Sequence, residues 1–277
     1  MDAASLSLKL VLPFTFLAAS LYSASSQRAF HFPIRAFVVV AIPQEMLQSS
    51  SYTMGISVRG KDLIEKYGAP CPDAMVEAAL RAATTLDDHN FEDYAFSVKA
   101  SELNLCVSAY EQLAKKTDAP LHLGITEAGG LTGGTVLSSI GISWLLKQGI
   151  GDTLRVSLAA DPVEEIKVGW AILKSMHLRT RGVEIVACPT CGRRGIDVVS
   201  TVAELEKRLS DIKETLKIAV MGCVVNGPGE ALHADIAVCG AANDRCLVYE
   251  DGQMMGKIPC SEAVDLIEKR VRTRLDK

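Results

Sequence analysis

Leu121-His-Leu-Gly-Ile-Thr-Glu-Ala-Gly129 opens as an alternation and closes on an acid and a glycine. Leu121, Leu123 and Ile125 share one face of an extended strand, and His122, Gly124 and Thr126 share the other. Glu127 follows at the exit. The neighbouring strand candidates repeat the pattern. In Tyr94–Val98 and the residues after it, Ser97, Lys99 and Ser101 oppose Phe96, Val98 and Ala100. In Thr153–Leu158, Thr153, Arg155 and Ser157 oppose Leu154, Val156 and Leu158. A weaker strand candidate surrounds Met54–Val58. Amphipathic helices lie between these strands. Val76, Leu80 and Ala83 mark one, and Leu103, Cys106, Val107, Tyr110, Leu113 and Ala114 mark another at helical spacing. Asp161-Pro162-Val163-Glu164 supplies an N-cap, a proline at the first helical position and an acid in the first turn. The alternation makes about four β–α units and predicts an α/β fold with a parallel sheet.

Both faces of such a sheet are covered, so polar residues along its strands are informative. Three consecutive strands carry them towards their C-terminal ends, where α/β enzymes bind ligand. Lys99 and Arg155 are candidates to hold an anion such as a phosphate. Glu127 is a candidate acid or base, and His122 a candidate to orient it or to bind phosphate. Gly129, Gly130, Gly133 and Gly134 read as a flexible loop with free N–H groups.

After Arg181 the texture changes. Strand Val183–Ala187 runs into Cys188-Pro-Thr-Cys191, and strand Lys217–Met221 runs into Gly222-Cys223-Val-Val-Asn-Gly-Pro-Gly-Glu230. Thr201-Val-Ala-Glu204 reads as a capping box. Short strands are predicted near Ile236–Cys239, Cys246–Tyr249 and Met254–Ile258, with a last helix capped by Ser261. Residues 180–277 therefore read as a separate small α+β domain. Two strand ends side by side would bring Cys188, Cys191 and Cys223 together, and three thiolates suit zinc or an iron–sulfur cluster. Glu230, Cys239 and Cys246 are candidates for a fourth ligand. A C-x-x-C can also be a thiol redox pair, which leaves Cys223 unexplained. Cys71, Cys106 and Cys260 read as buried structural residues.

The chain has 277 residues, eight of them Cys, and a net charge of −4. The charge gives no footing for a nucleic-acid surface, and the cysteines are too few for a small disulfide scaffold. Residues 1–52 differ from the rest. They hold Phe14, Phe16, Phe30, Phe32 and Phe37, and Asp2 and Glu45 are their only acids. Leu10–Leu21 is an apolar centre too short to span a membrane comfortably, followed by small residues. This segment reads as a bipartite plastid-targeting leader or as a spurious segment joined to the gene. A leader places the chain in a plastid-type organelle, and a spurious segment places it in the cytoplasm. No stable membrane association is expected.

Leu121–Gly129, Gly151-Asp-Thr-Leu-Arg-Val-Ser-Leu158, Ala187-Cys-Pro-Thr-Cys-Gly-Arg193 and Met221–Glu230 closely resemble the 4-hydroxy-3-methylbut-2-en-1-yl diphosphate synthase family, from about Gly55 onward. The resemblance implies a TIM-type (β/α) barrel followed by an iron–sulfur cluster domain. Only about four β–α units precede that domain here, so residues 53–179 are expected to form an incomplete barrel. It implies a 4Fe–4S cluster on Cys188, Cys191, Cys223 and Glu230. It implies reductive ring opening of 2-C-methyl-D-erythritol 2,4-cyclodiphosphate with electrons from ferredoxin or flavodoxin. Lys99, Ser101, His122, Arg155, Ser157 and Asn226 would bind substrate, Glu127 would handle protons, and the protein would be a homodimer. Ser57 stands where the family carries an Asn, and Leu137 where it often carries a Lys. The alternative is a non-catalytic remnant that keeps the cluster or a zinc ion.

Overall fold

The computed structural model describes residues 36–41, 53–57, 61–91, 94–188, 195–225 and 227–276. The chain divides into two compact units at Leu178 and Arg179. Among the described residues no helix is long and apolar enough to cross a membrane.

The first unit is a mixed α/β arrangement. Its elements are β1 (Ala36–Ala41), β2 (Thr53–Ser57), α1 (Lys61–Tyr67), α2 (Pro72–Asp88), β3 (Ala95–Ala100), α3 (Leu103–Leu113), β4 (His122–Leu123), α4 (Leu131–Lys147), β5 (Thr153–Leu154) and α5 (Pro162–Ser175). β4 pairs with β5 in parallel, and a parallel bridge joins Phe96 to Leu121. The parallel sheet expected from the sequence therefore runs through β3, β4 and β5. β1 departs from it. This strand falls within residues 1–52, read as a leader, and pairs antiparallel with both β2 and β3. Because it lies between them, β2 and β3 run in the same direction without touching.

Local chemistry starts and stops the helices. α5 begins where the Asp161 carboxylate accepts the Val163 N–H at 2.8 Å, as its Asp-Pro start predicts. Glu102 caps α3 by accepting from the N–H groups of Asn104 and Leu105. α4 corrects the reading of a glycine loop. Gly129 and Gly130 lie in a loop, but Gly133 and Gly134 are inside the helix. A Cβ on Gly134 would stand 2.6 Å from Leu158 Cδ2, so this glycine lets the helix approach the chain after β5. Met75, Phe96, Tyr110, Leu113, Leu123, Ile142, Leu145 and Leu173 form a continuous core with other buried residues. α2 supplies it through Met75, Val76 and Ala79, which leaves its charged face in solvent.

The second unit comprises β6 (Val183–Cys188), α6 (Val198–Arg208), β7 (Leu216–Met221), α7 (Gly227–Ala231), β8 (Ile236–Gly240), β9 (Arg245–Glu250), β10 (Gln253–Pro259), a short 3-10 turn (Cys260–Glu262) and α8 (Ala263–Leu275). Its five strands run in the order β10-β9-β8-β7-β6. β6, β7 and β8 are parallel, and β8, β9 and β10 are antiparallel. Leu205 and Leu209 near α6, with Ile267 and Val271 of α8, pack on Ile218, Val220, Val238 and Val248. The other side of the core is built from small and sulfur-bearing residues: Ala219, Met221, Ala231, Ala237 and Cys239. Two expected helix starts shift. α6 begins at Val198, because Asp197 rather than Thr201 caps it by accepting from Ser200 N–H and Ser200 Oγ. Ser261 lies in the 3-10 turn before α8 instead of capping that helix.

Candidate functional site

Register places the polar residues of the first unit in rows. The Phe96–Leu121 bridge and the His122–Thr153 pair bring Ser97, His122 and Thr153 side by side. Two residues further along the same face come Lys99, Gly124 and Arg155. The ladder continues that far, with Arg155 N–H donating to Leu123 O at 2.9 Å and Thr126 N–H to Ala100 O at 3.3 Å.

The lower row is tightly tied. Ser97 Oγ donates to His122 O at 2.8 Å, and Tyr110 Oη donates to the same carbonyl at 2.6 Å. His122 Nδ1 lies 2.7 Å from Thr153 Oγ1. Burial holds the Tyr110 phenol well above its ordinary range, so it remains a donor. Burial also pushes the Cys106 thiol up to about 11. Cys106 is thus a neutral weak donor, 3.6 Å from the carbonyls of Val98 and Gly124.

The upper row is electropositive. A Cβ on Gly124 would stand 3.0 Å from Lys99 Nζ and 2.8 Å from Arg155 O, so only glycine leaves room for the ammonium there. Burial, and then the charge of Arg155, push Lys99 down to about 8. Burial, and then Lys99 and Arg155, push His122 down to about 3, so its imidazole is neutral near pH 7. The carboxylate nearest Arg155 is Glu165, with Oε2 at 4.0 Å from Nε while Oε1 accepts the Leu158 N–H at 2.9 Å. Two cations and a neutral imidazole donor, with one distant carboxylate, suit a multiply charged anion.

Beyond this row the strands open into loops. Ser101 and Ser157 are partly buried and extend the pattern by two residues. Thr126 Oγ1 is buried with no hydrogen-bond partner among the described residues, an orphaned polar atom beside the cationic row. Glu127 is exposed, with a left-handed backbone at φ 55°. Such a conformation in a non-glycine residue carries strain, which concentrates at functional positions. A surface cavity of about 470 Å³ lies elsewhere, lined by Tyr67, Glu77, Arg81 and Lys116 among others, and holds none of the predicted site residues.

In the second unit, Cys188 ends β6 in register with Met221 at the end of β7. Gly222 N–H donates to Cys188 O at 3.3 Å, and Cys223 is the next residue. Cys188 and Cys223 therefore occupy adjacent parallel strand ends, as their spacing predicts. Cys191 and Asn226 lie outside the described residues. Glu230 is exposed on α7. The candidates for a fourth ligand separate here. Cys246 is joined to Cys260 in a disulfide, which withdraws it from metal binding and corrects the structural reading of Cys260. Cys239 is buried against Gly227, where a Cβ would come 2.3 Å from its Sγ. Burial, and then the nearby Cys223, push the Cys239 thiol up to about 12. Cys239 is a core residue packed with Ala219, Met221, Ala231 and Ala237. Glu230 is the candidate not tied up elsewhere. Among the described residues no group of three or more His, Cys, Asp or Glu side chains stands ready to hold a metal ion. Two sulfur donors at adjacent strand ends still fit a thiophilic metal or cluster better than a hard cation.

The sequence pattern gives Gly124 only a place on the polar face, Tyr110 only a place on a helix, and Glu165 nothing. A glycine and a helical core tyrosine carry no local signal, and Glu165 looks like an ordinary first-turn acid.

Two family models match the chain. Residues 55–170 match the GcpE TIM-barrel domain, and residues 184–273 match the GcpE protein C-terminal domain. The 4-hydroxy-3-methylbut-2-en-1-yl diphosphate synthase (flavodoxin) of Acidithiobacillus ferrooxidans is 54% identical over 215 residues, covering 78% of this chain and 58% of that protein. The protein of the same name from Hyphomonas neptunium is 53% identical over 231 residues, covering 82% of this chain and 61% of its own length. The chain thus spans about three fifths of the length of the curated relatives it matches. With both GcpE domains matched in order, and the four motifs inside them, the chain belongs to the GcpE family.

Proposed function

We propose that this chain carries out the reductive ring opening of 2-C-methyl-D-erythritol 2,4-cyclodiphosphate to 4-hydroxy-3-methylbut-2-enyl diphosphate, a step of isoprenoid precursor synthesis. The observation that carries the reading is the Lys99–Gly124–Arg155 row, built for a multiply charged anion. The relatives' shared name supports it, since their product is a diphosphate.

In this reading, residues 53–179 form part of a TIM-type barrel and residues 180–277 a cluster domain. Lys99 and Arg155 grip the diphosphate, and Glu165 orients Arg155 from the far side. His122, neutral and tied to Thr153, donates a hydrogen bond without adding charge. Thr126, Ser101 and Ser157 offer hydroxyls along the same face. Glu127, exposed beside the row, delivers the proton with which the departing hydroxyl leaves as water. Cys188, Cys191, Cys223 and Glu230 hold a 4Fe–4S cluster, which when bound supplies two electrons one at a time. A flavodoxin, or a ferredoxin, feeds those electrons. The protein works as a homodimer. The leader to a plastid-type organelle lies within residues 1–52, ahead of β1, which stays in the sheet between β2 and β3.

The test is anaerobic reconstitution of the full chain with iron and sulfide. Visible absorbance and bound iron that vanish in Cys223→Ser support the cluster. Turnover of the cyclodiphosphate with reduced flavodoxin, lost in Lys99→Met, supports the activity. Stoichiometric zinc in place of iron, with no turnover, refutes it.

A further inference from the structure

We propose that Cys246 and Cys260 form a reversible thiol–disulfide site that takes a dithiol reductant and braces the cysteine centre of the second unit. Cys246 is buried on β9, and Cys260 is part-exposed in the turn before α8. Their Cα atoms are 5.2 Å apart, within the range a disulfide requires. Cys188, Cys191 and Cys223 are useful as soft ligands only as reduced thiolates, so the chain's chemistry belongs in a reducing setting. Disulfides there are rare and commonly redox-active.

The bridge is coupled to the cysteine centre through Gly195. Cys260 Sγ lies 3.4 Å from Gly195 O. Gly195 N–H donates to Gly222 O at 2.7 Å, and Gly222 directly precedes Cys223. The fit around this point leaves no slack. A Cβ on Gly195 would stand 2.3 Å from Ala241 O, and one on Gly240 would stand 2.5 Å from Gly222 O and 2.8 Å from Ile196 N. Cys246 is itself in register with Gly240. Gly195 is thus held between the exits of β7 and β8, with the Cys260 sulfur against its carbonyl. A bridged sulfur has no proton to donate. Once reduced, Cys260 can donate to Gly195 O, so reduction changes how that carbonyl is held.

The exchange balances. A thiolate of the reductant attacks Cys260 Sγ, the more exposed sulfur. The Cys246–Cys260 bond breaks, and Cys246 leaves as a thiolate that takes a proton. The second thiol of the reductant attacks the mixed disulfide and frees Cys260. Two electrons pass to the bridge, and the reductant becomes a disulfide.

What the brace serves rests on the cluster reading above, but its test does not. Full-length, metal-free chain is equilibrated in graded mixtures of reduced and oxidised dithiothreitol, alkylated and analysed by mass spectrometry. Cys246 and Cys260 are expected to pass together between bridged and doubly alkylated forms, reversibly. Hydrogen exchange is then followed at Gly195 N–H in both forms. Reduction should speed it about tenfold, with the amides of Ile218 and Val238 unchanged. Cys246→Ala/Cys260→Ala should exchange at the fast rate whatever the buffer, and if that variant does not fold, the two redox forms of the natural chain decide. Independent alkylation of the two cysteines, a bridge that resists excess dithiothreitol, or equal Gly195 exchange in both forms overturns the proposal. Failure of iron binding in both forms refutes the cluster reading and leaves this result standing.

Discussion

Replacing Lys99 by Met should stabilise the protein. The side chain keeps its length and loses its charge, which the fold accommodates poorly. Burial and Arg155 push Lys99 from 10.5 to about 8. At 1.36 kcal/mol per pH unit, this puts the ceiling on the cost of its charge at about 3 kcal/mol. The sign follows from proton counts. Between about pH 8 and pH 10.5 the unfolded chain binds this proton and the folded chain does not, so folding stability rises with pH across that window. Below about pH 8 the cost is fully present. Lys99→Met should therefore gain up to about 3 kcal/mol near pH 7, and its advantage should fade as pH approaches about 10.5. Urea unfolding measures this directly. Trp144 and Trp170, the two tryptophans of the chain, both lie in the first unit, so their fluorescence reports that unit alone. Inorganic diphosphate should raise the midpoint of the natural chain and not that of the variant. A variant no more stable than the natural chain near pH 7, with a parallel pH dependence, would refute the electrostatic argument.

Gly124→Ala should cost roughly 1–3 kcal/mol and weaken diphosphate binding, because its Cβ would stand 2.8 Å from a carbonyl that cannot move aside; calorimetric titration with diphosphate and tryptophan-monitored unfolding check both. His122 should titrate near 3 in proton NMR, and stability should fall as pH drops from about 6.5 towards about 3, because the unfolded chain takes up this proton first. A midpoint near 6.5 contradicts the burial of this ring beside Lys99 and Arg155. Leu205→Ala, a fully buried contact of α6, should lower the second unit's stability by roughly 2–5 kcal/mol, read by circular dichroism during urea unfolding.

Periodicity and capping made much of this architecture legible. The apolar spacing from Leu103 to Ala114 matches α3, and Asp161-Pro162 marks the start of α5 to the residue. Cys188 and Cys223 were legible because each follows an apolar run short enough to be only a strand. What the sequence hides is whatever depends on a partner far along the chain. Thr201-Val-Ala-Glu204 has the form of a cap, yet Asp197 stands earlier and takes the role. Gly133 and Gly134 look like loop, and close contact with the chain after β5 makes Gly134 helical. The pairing of Cys246 with Cys260 is not written in their spacing, since cysteine counts never specify connectivity.

The Lys99–Gly124–Arg155 row is made from residues that weaken a fold. A buried ammonium and a glycine just past the end of β4 each cost stability, and the guanidinium of Arg155 has its carboxylate no closer than 4.0 Å. The lower row does the opposite, because Ser97, Tyr110 and Thr153 satisfy the backbone and ring of His122 with short hydrogen bonds. One row therefore holds the strands in place while the other, two residues away, sets two cations against the single carboxylate of Glu165. An anion entering there supplies the missing counter-charge to Lys99 and Arg155 together, and the rigid lower row spares it the cost of ordering them. The affinity of the site and the instability of the unliganded protein thus have one cause, the desolvated charge of Lys99.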